Sequence, residues 1–437
     1  MRNDQDRSFF PFHLLSDSGR NYDLTLIHHK QNGIAEKMET ANHFKVPASE
    51  IDSRTLKLQQ ELQASEIDGL FIVQRVDLFY FSGTAQNGFM YIPAEGDPLL
   101  FIKQYLPRAE EESSVGNIIK INSIKEIPGL IMDHCAKLPA TIGFELDVIP
   151  VNDFTFYQSL FPGSQCVDGS PLILKLRRIK SEWEINQLEN TAEMTRKTFE
   201  YMRATIQTEI TEMEFAGMFE TYARKLGHGA SLRVRHYQTE GYPWHVLSGK
   251  SGGMIGLLDS PASGAGTSAA FPVGAGSKKL CANEPIMVDL GSVLNGYHMD
   301  ETRMLAIDSM PKRAMDCSLA AIEIHDSVIE KAKPGITVGE LFEHSVRLAK
   351  SLGHATPYLG PPDHKVSFIG HGIGLELIEP YIMAKNKNQQ LEAGMAFALE
   401  PKMVYENEFA AGVESVFLVT ATGTRLISKV PVEVFVC

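Results

Sequence analysis

Ile286-Met287-Val288-Asp289-Leu290-Gly291-Ser292-Val293-Leu294-Asn295-Gly296-Tyr297-His298-Met299-Asp300-Glu301-Thr302-Arg303 reads as two strands around an Asn-Gly reversal. An apolar run is followed by a two-residue turn and then by alternating side chains, the pattern of a hairpin. Asp289 stands on the first arm and Asp300 on the second. Antiparallel pairing brings such residues onto one face, a few ångströms apart, where two carboxylates repel unless something positive lies between them. A surface hairpin whose acids face water is the plain alternative. Asp289 closes the apolar run Ile286 to Val288, so burial is expected there, and the pair points to a metal site.

Further along, His371 stands in Ile369-Gly370-His371-Gly372-Ile373-Gly374, where glycines let the backbone approach closely and leave the imidazole unobstructed. Glu400 ends the apolar stretch Ala396-Phe397-Ala398-Leu399 and is followed by Pro401. Glu414 lies in Gly412-Val413-Glu414-Ser415-Val416-Phe417-Leu418-Val419, a charge inside a strand-like run. Each of these alone is a weak signal. Four carboxylates and one imidazole, each embedded in apolar strand sequence, suit two divalent ions sharing bridging carboxylates.

Taken in order, Asp, a second Asp eleven residues on, His in Gly-His-Gly-Ile-Gly, Glu-Pro and a final Glu resemble the pita-bread metallopeptidases. That group includes methionine aminopeptidase, Xaa-Pro aminopeptidase, prolidase and the metal-free relative creatinase. Gly296-Tyr297 with Asp300-Glu301-Thr302-Arg303 matches the group's Gly-Tyr…Asp-x-Thr-Arg signature, and the resemblance runs from about residue 45 to the end. It implies an α/β creatinase-like N-terminal domain followed by an α+β pita-bread catalytic domain with pseudo-twofold duplicated halves. It further implies that Asp289, Asp300, His371, Glu400 and Glu414 hold two divalent ions (Mn²⁺, Co²⁺ or Zn²⁺). In that picture Asp300 and Glu414 bridge the ions, and Glu400 doubles as general base toward the bridging water. The substrates implied are Xaa-Pro dipeptides, or short peptides with proline second.

The rest of the chain bounds the reading. Its 437 residues suffice for two or three domains with well-buried cores, and 43% apolar with 22% charged residues is ordinary for a globular protein. A net charge of −13 argues against nucleic acid or an anionic membrane as partner. No apolar run approaches the roughly 18 residues that span a bilayer, and the charged start Met1 to Arg7 leads into no signal-peptide core. Cys135, Cys166, Cys281, Cys317 and Cys437 form no Cys-x-x-Cys pair, so reduced thiols and a cytoplasmic location are expected.

Residues 1–45 match no part of the family pattern and are read as an extension. Residues 46–172 form the expected creatinase-like domain, with a helix from Glu50 to Ser65, a buried strand at Gly69 to Val73 and a hairpin from Phe89 to Ile102. It carries no evident chemistry and is read as a lid and dimerisation unit, so a homodimer is expected. Residues 173–437 form the catalytic domain, opened by a capping box at Ser181 and Glu184. An internal repeat supports the duplicated fold: Ile210-Thr211…Glu214…Ala223…Leu226-Gly227 returns 126 positions later as Ile336-Thr337…Glu340…Ala349…Leu352-Gly353. Each copy reads as a capping box, an amphipathic helix and a glycine stop.

The substrate side departs from the family. The histidine that related peptidases place seven residues after the Gly-His-Gly histidine is Ile378 here. A second, expected near Gly256, is absent, and a Gly-, Ala- and Ser-rich insertion from Leu257 to Pro272 follows, expected as a lid beside the cleft. An arginine common two residues before the last ligand is Gly412. His298, two residues from Asp300 on one strand face, is the candidate to act in place of the lost histidines, with His236, His245 and His364 further off. The primary expectation is a metal-dependent hydrolase of a small peptide or amide. A hydrolase of a non-proline amide or other C–N bond, or a non-catalytic binding protein of this fold, stand as alternatives, and the complete ligand set weighs against the last.

Overall fold

Alternation of apolar strands with amphipathic helices builds the first layer. In the computed structural model, which describes residues 44–235, 244–256 and 260–437, α1 (Ala48–Ala64) precedes β1 (Gly69–Ile72) and α2 (Arg75–Ser82). The hairpin β2 (Gly88–Pro93) and β3 (Leu99–Ile102) follows, then α3 (Leu106–Glu112), β4 (Asn117–Lys120), α4 (Ile127–Cys135), β5 (Thr141–Phe144), α5 (Val151–Leu160) and β6 (Gln165–Asp168). The strands form one mixed sheet in the order β4-β3-β2-β1-β5-β6. Strands β1 and β3 are buried along their whole length, as a sheet covered on both faces requires. Phe71, Phe101, Phe144 and Phe161 fill the core beneath the helices, each ring contributing about 1.5–3 kcal/mol by leaving water.

Helix α6 (Ser170–Arg178) carries the chain out of this layer, so the boundary expected between residues 172 and 173 falls inside a helix. Its Arg177 is buried among carboxylates from both sides of the junction. It pairs with Asp77 of α2 at 2.7 Å, and with Glu376 at 2.8 Å and Glu379 at 2.5 Å from the C-terminal half. Lys180 adds a bond to Glu379 at 2.8 Å, and residues 45–437 form one compact unit. The extension at residues 1–43 lies outside the described residues.

The repeat is visible as structure. After α7 (Glu182–Thr205) comes α8 (Glu212–Lys225), capped by Thr211 and Glu214; after α9 (Lys312–Lys331) comes α10 (Val338–Ser351), capped by Thr337 and Glu340. Both short helices end at a glycine in the left-handed region, Gly227 at φ 103° and Gly353 at φ 83°. The first helix pair buries Phe199, Phe215 and Phe219 against Val288 and Leu290; the second buries Ile324, Leu341 and Phe342 beneath Met383, Phe397 and Leu399.

Each helix pair backs one sheet. The first sheet runs β17-β9-β8-β7, with β7 (His245–Ser248), β8 (Ile286–Leu294), β9 (Tyr297–Ala306) and β17 (Phe435–Val436). The second runs β11-β10-β12-β15-β16, from β10 (Phe368–Gly372), β11 (Glu379–Ala384), β12 (Ala396–Leu399), β15 (Ser415–Val419) and β16 (Thr424–Leu426). Between them lies a separate ribbon of β13 (Lys402–Tyr405) and β14 (Phe409–Gly412). The two sheets and the ribbon are hydrogen-bonded separately, and β17 joins β9 in parallel. Asn295 and Gly296 turn the β8–β9 hairpin with φ of 55° and 87°, the two left-handed residues that a type I′ turn demands. Among the described residues no helix is long and apolar enough to cross a membrane.

Candidate metal centre

Strand register decides which side chains meet. Asp289 pairs with Thr302 and Gly291 with Asp300, so the two aspartates are diagonal neighbours on one face of the β8–β9 hairpin. The second sheet brings His371 on β10, beside Ala398 of β12, and Glu400 directly after β12. Close approach is needed here: a Cβ at Gly370 would stand 2.2 Å from the Ala398 carbonyl oxygen. Glu414 spans the two sheets. Its backbone N–H donates to the Thr302 carbonyl at 3.0 Å, and its carboxylate accepts from the Thr302 hydroxyl at 2.9 Å.

The Asp-x-Thr-Arg signature therefore has a structural task. Thr302 holds the Glu414 side chain, and Arg303, fully buried, binds the Glu414 carbonyl together with the carbonyls of Thr302, Val430 and Pro431. These bonds fix Glu414 against the strand that carries Asp300, and they leave its Oε1 buried with no hydrogen-bond partner among the described residues. His371 is oriented likewise. Its Nδ1 lies 3.0 Å from the Gly372 carbonyl, which can only accept, so Nδ1 carries the proton and Nε2 presents a lone pair. Nε2 is 3.7 Å from Asp300, 3.7 Å from Glu400 and 4.0 Å from Glu414.

One oxygen each of Asp300 and Glu414 and a nitrogen of His371 lie within 4.8 Å of one another, all buried. Two carboxylates and an imidazole with its lone pair turned inward, one carboxylate oxygen being unpartnered, fit a divalent ion. Burial raises the Asp300 carboxyl well above the usual range, and the charges of Asp289 and Glu400 push it the same way; Glu414 is raised by burial and by Asp300. Lys402 opposes both shifts without overriding them.

Lys402, first residue of β13, buries its whole side chain among the same acids. Its Nζ donates to Glu400 Oε2 at 2.8 Å, Asp289 Oδ2 at 3.0 Å and Glu414 Oε2 at 3.3 Å. Burial alone would discharge this ammonium; the three carboxylates override it and hold its pKa well above that of a free lysine. Burial would likewise raise Asp289, but Lys402 and His245 hold it below the usual carboxylate range. The sequence reading missed Lys402. Its one signal was a lysine directly after Glu400-Pro401, ten residues before Gly412.

The five expected ligands converge on one cleft of about 80 Å³, lined also by Lys402, His245, Ser260, Leu377 and Ile378. His245 brings the cleft an imidazole: Nδ1 lies 3.7 Å from Asp289, and Nε2 is buried with no partner among the described residues. Of the insertion, 257–259 lie outside the described residues; Pro261 to Gly264 are buried against the body, and Ser260 reaches the cleft wall. His298 does not line the cleft, contrary to expectation. Its Nε2 accepts from the Arg233 backbone N–H at 3.0 Å and its Nδ1 faces the Gly374 carbonyl at 3.1 Å, so both ring nitrogens are spent on backbone. Burial lowers its pKa to about 4 and keeps it neutral. His364 is exposed away from the cleft, and His236 lies outside the described residues.

Comparison with known proteins agrees with this geometry. Residues 54–179 match the creatinase/prolidase N-terminal domain and residues 186–421 match metallopeptidase family M24. An Xaa-Pro dipeptidase of Pyrococcus furiosus is 25% identical over 380 residues, 86% of this chain and 97% of that protein. One from Lactobacillus helveticus is 26% identical, covering 84% of this chain and 95% of its own length. Among solved structures, an Xaa-Pro dipeptidase from Bacillus anthracis superposes with a TM-score of 0.75 at 20% identity, covering 89% of this chain and all of that one. An X-Pro aminopeptidase from Thermotoga maritima gives 0.73 at 20% identity, over 86% of this chain and all of that one. The chain belongs to metallopeptidase family M24, with a creatinase/prolidase N-terminal domain ahead of its catalytic domain.

Proposed function

We propose that this chain hydrolyses dipeptides or short peptides with proline in second position, in a metal-dependent reaction with Glu400 as the proton carrier. The observation that supports it most is the convergence of Asp300, His371 and Glu414 at the floor of the cleft, in a chain similar along most of its length to Xaa-Pro dipeptidases. A divalent ion on those three residues would supply a Lewis acid for the scissile carbonyl and a water of lowered pKa. Glu400 stands beside them, one oxygen toward His371 and the other held by Lys402, placed to take a proton from the water and return it to the leaving nitrogen. His245, with its free Nε2, is placed to hydrogen-bond a substrate carbonyl or carboxylate. Leu377 and Ile378 give the cleft an apolar wall suited to a proline ring.

A non-proline small amide is the second reading, favoured by the apolar Ile378 in the cleft, at a position where the family resemblance implies a histidine. One assay separates the two: the purified protein, stripped with chelator and reloaded with Mn²⁺, Co²⁺ or Zn²⁺, against matched Xaa-Pro and Xaa-Ala dipeptides. Turnover that prefers Xaa-Pro, is lost in chelator and falls about 10²–10⁴-fold in Glu400→Gln supports the proposal. Equal or faster cleavage of the non-proline series transfers the assignment to the second reading.

A further inference from the structure

We propose that the Lys402 ammonium permanently takes the place of one of the two divalent ions this ligand set would otherwise hold. The chain then binds a single ion at Asp300, His371 and Glu414, and Asp289 serves as counter-ion of the lysine. This rests on the metal-dependent reading above.

The lysine is built into the cluster. An ammonium has three N–H donors, and Nζ of Lys402 places one each on Asp289, Glu400 and Glu414 at 2.8–3.3 Å, with 2% of the side chain exposed. The route inward depends on its neighbour across the ribbon. Lys402 pairs with Gly412, and a Cβ at Gly412 would stand 2.5 Å from Lys402 Cγ and 3.1 Å from its Cβ. The side chain lies over a bare Cα.

Two ions and this ammonium do not fit together. An ion bound through Asp289 and Glu414 would stand roughly 2.0–2.6 Å from oxygens that Lys402 already holds. It would therefore sit within a few ångströms of Nζ, and its double charge and the ammonium's unit charge would repel strongly in a site with so little water to screen them. Asp289 is also absent from the group whose donor atoms gather within 4.8 Å, the one such group among the described residues. The Lys402 contacts also hold Glu400 Oε2 in place, leaving Oε1 toward His371.

Metal content tests the proposal independently of turnover. The full-length protein is stripped, reconstituted with excess Mn²⁺, desalted, and read by elemental analysis and low-temperature electron paramagnetic resonance. Wild type is expected to hold one ion per chain with an isolated six-line signal. Lys402→Ala, or Lys402→Gly if the first fails to fold, should rise toward two with an exchange-coupled spectrum. Asp289→Asn should stay at one. Two coupled ions in wild type, or loss of the ion in Asp289→Asn, overturns the proposal, as does a folded Lys402→Ala that remains at one. A folded wild type that binds no ion overturns the metal-dependent reading itself, and the proposal with it.

Discussion

Lys402 and Gly412 face each other across the β13–β14 ladder, and the lysine reaches the acidic cluster by crossing the glycine's bare Cα. Gly412 is not in the left-handed region, so alanine there brings no backbone strain and tests the steric contact alone. Gly412→Ala should destabilise the protein by about 1–3 kcal/mol, the usual cost of overpacking a tight site. In the Lys402→Gly background that cost should largely disappear, leaving the milder 3.1 Å approach to the Pro401 carbonyl. Urea unfolding of the four members of this cycle measures the coupling, which contacting residues show as about 0.5–3 kcal/mol. Additive changes would mean that the two positions do not constrain each other.

Arg177 ties the N-terminal layer to the catalytic half through Asp77, Glu376 and Glu379, all nearly devoid of exposure. Arg177→Met fills much of the space but takes a cation from three buried carboxylates, leaving Glu376 without its ion pair while Asp77 keeps Arg235 and Glu379 keeps Lys180. Removing one partner of a buried ion pair typically costs about 3–5 kcal/mol, because the remaining charge is left uncompensated. A loss of that size in urea unfolding is expected. A loss under about 1 kcal/mol would show that water reaches the cluster and screens it.

Local pattern made much of this molecule legible. The Asn295-Gly296 turn, the paired capping boxes and the order of the five site residues each follow from short-range chemistry, and the structure draws those five onto one cleft. Lys402 was not legible, because a lysine opening a strand ordinarily points to water, and only its pairing with Gly412 turns it inward. His298 failed for a related reason. Strand alternation puts it on the face of Asp300, but the Gly374 carbonyl and the Arg233 backbone cover it, and alternation says nothing about what lies above a strand. The insertion, expected as a lid beside the cleft, is held on the body of the protein: Gly264 packs so closely on β7 that a Cβ there would meet Leu247 at 2.4 Å. Small residues were serving close packing as well as reversal.

Acid should weaken the fold through buried neutral histidines. His228 accepts a hydrogen bond from the Val293 backbone N–H through Nδ1, and burial lowers its pKa from 6.5 to about 4. Between those values the unfolded chain takes up a proton that the folded chain refuses. Stability from this residue is therefore full above about pH 7, falls through 6.5 and levels off below 4, with a total near 2 kcal/mol after allowing for partial solvent access. Asparagine keeps the acceptor and removes the titration. The stability of wild type relative to His228→Asn should decline by that amount from pH 7.5 to pH 4, and a pH-independent difference would contradict the assignment.

Ile378 lines the cleft, and no imidazole of the C-terminal sheet other than His371 reaches it. Among the described residues the single further imidazole at the cleft is His245 of β7, whose Nε2 has no partner among them. If His245 carries substrate contacts alone, His245→Ala should lower kcat/KM for Xaa-Pro dipeptides by about 10–100-fold, the loss of one or two hydrogen bonds to a charged or polarised group. Metal content should be unchanged, because the Asp300, His371 and Glu414 donors do not include it. Ile378→His places a second imidazole across the cleft. General acid–base assistance is worth about 10²–10⁴-fold where geometry allows, so kcat should rise in this variant and KM move little. The two changes should combine additively in free energy if the histidines act on different substrate atoms. Unchanged kcat in Ile378→His, with metal content intact, would show that Glu400 already handles every proton the reaction moves and that the apolar wall is there for the substrate's side chain.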